Sequence, residues 1–193
     1  MSAEIVTERQ YPPSFRVRRD EFPQLPHEYF LPRWYAIYTS ANHEKRVGQQ
    51  LSERQIENFV PLYESSRRWK DRRVTLQMPL FPGYLFVRLA LRDRLSVVQI
   101  AGVARFVGFN GTPTALAEEE IVALQTGLRS GMKAQPHPFL TVGRSVRVND
   151  GPFSGLTGIL IRRKGKSRVV VSIQLLRQSI AIEVPDWDLK AEN

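Results

Sequence analysis

Arg67-Arg68-Trp69-Lys70-Asp71-Arg72-Arg73 sets five basic residues around one tryptophan, each within four positions of its indole ring. Cations interleaved with an aromatic can neutralise phosphates and stack on a base, so the run suits contact with a nucleic-acid backbone. A solvated loop is the other reading of such a charge run. Glu118-Glu119-Glu120 offers three carboxylates. Consecutive positions on a helix point in different directions, so they serve the positive end of the helix dipole better than a metal or an acid–base pair. Of the histidines, His27 and His137 fall outside the folded stretches, and His43 reads as a polar residue at the start of a helix. The chain has no cysteine, which excludes disulfides, thiolate catalysis and Cys-type zinc sites. There is no Gly-rich phosphate loop, paired-carboxylate motif or metal-ligand spacing. Binding, without cofactor or metal, is expected rather than catalysis.

The elements that would position such contacts centre on the stretch Pro79–Leu89. Pro82-Gly83 signals a turn, and the strand-favouring run after it starts at Tyr84. Alternation puts Leu85, Val87 and Leu89 on one face and Tyr84, Phe86 and Arg88 on the other. If helices cover the aliphatic face, the aromatic face is either a second buried layer or a patch left open for a partner.

Residues 1–33 hold five of the 13 prolines and no sustained period, so they read as a mobile leader. Trp34–Thr39 is a strand, followed by a helix capped by Ser40 or Asn42 with Val47 and Leu51 on its buried stripe. Ile56–Tyr63 reads as a strand interrupted by Pro61. The basic run then forms a hairpin tip. Leu91, Leu95 and Val98 recur at helical spacing, Ala104–Phe109 is a short strand, and Glu118 opens a helix that buries Ile121, Leu124 and Leu128. Residues 130–140, with Gly131, Pro136 and Pro138, form a linker. Four short strands follow, Ser145–Asn149, Leu156–Arg163, Arg168–Gln174 and Ser179–Val184, spaced as in a small barrel. The fold class is therefore α+β: an N-terminal antiparallel sheet with packed helices (34–129) and a small C-terminal β-barrel (141–190). The linker leads us to expect that the two tumble separately.

The net charge is +9, and both folded parts are mildly cationic, which suits a polyanion. No apolar run approaches the ~20 residues of a membrane helix, and no signal-peptide core is present. A cytoplasmic monomer without membrane contact is expected.

Trp34-Tyr35 through Glu44-Lys45, Phe59-Val60-Pro61-Leu62, Leu80 to Val87, and Asn149-Asp150-Gly151-Pro152-Phe153 with Gly155 and Gly158 together resemble the NusG family of transcription elongation factors. The resemblance spans roughly residues 34–189. It implies an NGN-like first domain and an SH3-like KOW barrel as the second. Stretches 34–47 and 79–89 are similar to the specialised antitermination paralogs of the RfaH and UpxY kind. The resemblance implies that Tyr84, Phe86 and Phe109, with Phe81 and Tyr38, bind the clamp helices of the RNA polymerase β′ subunit. Residues 94–97 would lie toward the gate loop of the β subunit. His43, Lys45 and Arg46 would approach non-template DNA, near Arg67, Arg68, Trp69, Lys70, Arg72 and Arg73. In the barrel, Leu175 and Leu176 replace the exposed phenylalanine with which the housekeeping protein contacts Rho or a ribosomal protein. Packing of these two leucines into the barrel core is an equal alternative. A housekeeping pause and Rho-linked factor and a ribosome-associated KOW protein that binds RNA are the rival functions.

Overall fold

Alternation in two strands sets the first layer, and the computed structural model describes it within residues 26–69, 72–139, 143–163, 166–185 and 188–191. In chain order the first half runs β1 (Arg33–Thr39), α1 (Glu44–Glu53), β2 (Glu57–Phe59), β3 (Leu62–Trp69), β4 (Arg72–Pro79), β5 (Tyr84–Leu89) and α2 (Leu95–Val98). It continues through β6 (Val103–Phe106), β7 (Gly108–Phe109), β8 (Thr112–Pro113), β9 (Ala115–Leu116) and α3 (Glu118–Arg129). The main sheet has the order β2-β5-β1-β6, with β9 also on β1. Antiparallel register places Trp34 opposite Arg88, Ala36 opposite Phe86 and Tyr38 opposite Tyr84 on one face, and Tyr35 opposite Val87 and Ile37 opposite Leu85 on the other.

The aliphatic face packs with Val47 and Leu51 of α1 and Val97 of α2, forming one apolar cluster. Several local expectations change here. Neither Ser40 nor Asn42 caps α1: His43 holds the cap position without a side-chain bond, and Asn42 sits at φ +61° instead. The expected strand Ile56–Tyr63 is split, because Val60-Pro61 breaks the ladder between edge strand β2 and hairpin strand β3. In the segment after β5, Val97 and Leu91 are buried while Leu95 and Val98 are exposed. A 3-10 turn at Leu91–Asp93 resets the phase before the four residues of α2, so a single helical stripe does not form. The described end of the expected leader is structured: His27–Phe30 is a 3-10 turn, and Tyr29 packs against the aliphatic cluster. Residues 1–25 lie outside the described residues.

The second half comprises β10 (Ala134–His137), β11 (Ser145–Val148), β12 (Thr157–Arg163), β13 (Lys166–Ile173), β14 (Gln178–Val184) and β15 (Leu189–Ala191). They form one antiparallel sheet in the order β10-β14-β13-β12-β11-β15. Strand β10 falls inside the expected linker. It pairs with β14, and its Pro136 is tolerated because β10 is an edge strand. The protein is thus α+β, a helix-packed antiparallel sheet followed by a small barrel-like sheet.

The two halves share one apolar cluster. Trp34, Ala36, Phe81, Phe86, Ile121 and Leu124 belong to it together with Val146, Phe153, Val171, Leu176 and Ile180 of the second half. Separate tumbling, the expectation from the linker composition, is therefore not what the structure shows. One close approach is at α3: a Cβ added to Gly127 would clash with the Phe153 ring, which is itself 1% exposed. An ordinary helix glycine gains ~0.5–1 kcal/mol on replacement by alanine. Gly127→Ala is expected to reverse that sign, destabilising by about 1–3 kcal/mol through overpacking, as measured by urea denaturation. A stabilised variant would show that Phe153 does not press on α3.

Candidate functional site

The turn between β4 and β5 fixes the candidate face. Tyr84 N–H donates to the Phe81 carbonyl at 3.0 Å, and Gly83 adopts φ +82°, where a Cβ would meet the Tyr38 ring at 2.9 Å. Gly83 N–H donates to Glu44 Oε1 at 2.7 Å, while the Gly83 carbonyl accepts from Thr39 N–H at 2.8 Å. Glu44 is only 3% exposed, so its carboxylate is committed to this turn and locks the start of α1 to the start of β5.

Tyr38 and Tyr84 stand beside each other across the β1–β5 ladder, with ring centroids 5.1 Å apart. The Arg105 guanidinium lies over Tyr38 at 5.6 Å. Tyr38 is 39% exposed and Phe109 68% exposed, while Tyr84 is half-buried. Phe81 and Phe86 depart from the expectation of an open aromatic patch, since both are 0% exposed. Phe86 stacks on Phe59 at 6.0 Å and meets Phe81 edge-on at 5.8 Å. The cluster that encloses them includes residues of the barrel, so the aromatic face is partly a buried layer and partly open.

The barrel turn faces this region. Gln178 Nε2 donates to the Pro82 carbonyl at 3.1 Å. Leu176 is 4% exposed and Leu175 half-buried, both within the shared cluster, so core packing is the reading that holds for Leu176. Arg177 next to them takes φ +51° and lays its guanidinium over Phe139 at 5.9 Å.

The basic residues fall in two neighbouring groups. His43 is half-buried with Nδ1 2.9 Å from the Ala41 carbonyl, whereas Lys45 and Arg46 belong to the first turns of α1, where Lys45 is exposed. Lys45 Nζ donates to the Gln77 carbonyl of β4, tying α1 to the hairpin. In that hairpin Arg67 is opposite Val74, Arg68 opposite Arg73, and Trp69 opposite Arg72. Arg68, Arg72 and Arg73 are exposed, and Lys70 lies outside the described residues.

Sequence reasoning missed three features. Glu44 carries no motif beyond a first-turn acid, and its role emerges only when β5 returns beside α1. Gly127 did leave a signal, a glycine within a helix, which marks close approach of another element. Arg88 bridges Glu57 of β2 at 3.4 Å and Glu118 of α3 at 3.2 Å. Glu118 is therefore an ion-pair partner as well as a first-turn acid. Partial desolvation and neighbouring Glu119 push the Glu120 carboxyl above its ordinary value, although the residue as a whole stays exposed. Among the described residues no cluster of potential metal ligands occurs, and no helix is long and apolar enough to cross a membrane.

A family model described as transcription termination factor NusG matches residues 32–125, the part that holds the turn and the aromatic face. The transcription termination/antitermination protein NusG of Rickettsia bellii is 28% identical over 172 residues, covering 82% of this chain and 89% of the relative. Its namesake from Escherichia coli O6:H1 is 29% identical over 167 residues, covering 79% and 92%. A solved structure described as domain interaction in Thermotoga maritima NusG superposes with a TM-score of 0.54 at 18% identity, covering 86% of this chain and 99% of that one. These relatives are named as transcription termination/antitermination proteins, and the chain is similar to the NusG family of transcription termination/antitermination factors over most of its length.

Proposed function

We propose that the protein is an elongation and antitermination factor that binds RNA polymerase through the face around Tyr38, Tyr84 and Phe109. The partner surface is the coiled-coil clamp helices of the β′ subunit, and binding favours processive elongation. The observation that carries this reading is the exposure of Tyr38 at 39% and Phe109 at 68%, large aromatics that an isolated fold would gain by covering. Exposed Leu95 at 63% supports a second contact, with the gate loop of the β subunit. His43, Lys45 and Arg46 approach the non-template strand, and the factor acts in the cytoplasm as a monomer.

Burial of Phe81 and Phe86 makes the described arrangement a closed form of that face. Polymerase then competes with the barrel, and the barrel turn becomes available to a second partner when it lets go of Pro82. Gln174–Gln178 carries no aromatic side chain, which favours a ribosomal protein contact through half-buried Leu175 over a Rho contact. The same feature favours the antitermination role over a Rho-linked housekeeping role.

Two measurements test this. Phe109→Ala and Tyr38→Ala are expected to abolish capture by RNA polymerase, and Phe109→Ala to change stability by no more than about 0.5 kcal/mol. Phe86→Ala, in contrast, is expected to lower stability by ~3–5 kcal/mol because its ring is enclosed. Capture by polymerase lacking the clamp helices, at undiminished strength, would refute the site. In the second measurement, Gln178→Ala removes a hydrogen bond worth about 0.5–1.5 kcal/mol to the closed form. Affinity for a clamp-helix fragment is then expected to rise about two- to tenfold, as more molecules occupy the open state. Unchanged affinity would mean that closure does not oppose binding.

A further inference from the structure

The hairpin of β3 and β4 is a two-stranded sheet with no third strand beside it among the described residues. With eight residues in each strand and a rise of ~3.3 Å per residue, it is an arm roughly 26 Å long. Its root is held firmly. Leu80 N–H donates to the Pro61 carbonyl at 2.8 Å, Lys45 donates to the Gln77 carbonyl, and Gln77 Nε2 donates to Glu64 Oε1 at 3.2 Å. The far end is cationic. Arg68 and Arg73 face each other directly across the ladder, a position where like charges repel. Arg68, Arg72 and Arg73 are exposed and make no ion pair or side-chain hydrogen bond among the described residues. Of the arm's two acids, Glu64 lies near the root and is engaged by Gln77, and Asp71 lies outside the described residues.

We infer that this arm is a binding element for double-stranded DNA that enters the major groove, with Arg68, Arg72 and Arg73 neutralising phosphates on its walls. The inference goes beyond the proposed function, which places His43, Lys45 and Arg46 by the non-template strand, and it does not depend on the polymerase contact. Shape decides between the candidate polyanions. Sites for single strands are grooves that track the backbone, whereas this arm is a narrow projection. The major groove of B-form DNA is about 12 Å wide and admits a two-stranded ribbon. The major groove of duplex RNA is too deep and narrow for side chains to read. Anions on either side of the Arg68–Arg73 pair would relieve the repulsion that the free protein carries.

The test uses the full chain and fluorescence anisotropy with a labelled DNA duplex of about two helical turns. A single strand of the same sequence and the corresponding RNA duplex serve as the other arms. The expected result is preference for the DNA duplex, undisturbed by the minor-groove ligand netropsin. Arg68→Gln/Arg72→Gln/Arg73→Gln is expected to weaken binding at least about tenfold and to flatten the salt dependence by ~0.9 for each phosphate no longer neutralised. Replacing the same three residues by lysine keeps the slope. Arg144→Gln/Arg147→Gln, on exposed positions at and just before β11, leaves both affinity and slope unchanged. Equal or tighter binding of the single strand or the RNA duplex would overturn the inference, as would displacement by netropsin, an unaffected glutamine variant, or an equal weakening in the β11 variant. Melting of the glutamine variant is expected at or slightly above that of the parent. Its capture by polymerase is a separate readout, so failure of the arm and failure of the aromatic face are distinguishable.

Discussion

Gly83 is the constraint on which the rest of the structure depends. Its N–H is taken by a buried carboxylate from α1 and its carbonyl by the end of β1. The positive φ strains any residue but glycine, and a Cβ there would press on the Tyr38 ring. One residue therefore sets where α1 begins, where β5 begins, and how the Tyr38 and Tyr84 rings meet. The neighbouring Pro82 carbonyl extends the same node to the barrel through Gln178. Position in the sheet, position of the helix and position of the second half all converge on this short turn.

The aromatic layer is enclosed at one end and open at the other. Phe59, Phe81 and Phe86 interlock within the enclosed part, while Tyr38, packed on Tyr84, remains partly exposed. Each tyrosine retains a hydroxyl that water can satisfy, which makes partial exposure tolerable. Arg88 lies on this same face, paired with acids from β2 and α3, yet its Nε is buried without a hydrogen-bond partner. A group in that position favours small rearrangements that would satisfy it.

Much of this was legible in the sequence, because period-two alternation in residues 34–39 and 84–89 states which side chains share a face. Alternation cannot state what lies over a face, so it left the Phe86 face either buried or open, and the enclosure of Phe81 and Phe86 emerges only from the packing of the second half. The paired hydrophobic flanks made the basic hairpin readable, and the apolar spacing of Ile121 and Leu124 located α3. The segment Leu91–Val98 misled because a 3-10 turn changes the residue period within one turn of chain. Strand β10 was hidden by Pro136, a residue that only an edge position accommodates. Leu175 and Leu176 illustrate a different limit: a turn sequence gives the bend but not the direction in which the larger side chains go.

The exit from α3 has a mechanical consequence. The helix ends at Arg129, Gly131 turns the chain at φ +76°, and β10 is already under way at Ala134. Only Ser130, Gly131, Met132 and Lys133 separate α3 from the first strand of the barrel sheet, a reach of roughly 14 Å when fully extended. Under the proposed opening, a barrel on so short a leash would stay an intramolecular competitor for the face at an effective concentration on the order of millimolar, which a partner would have to outcompete continuously.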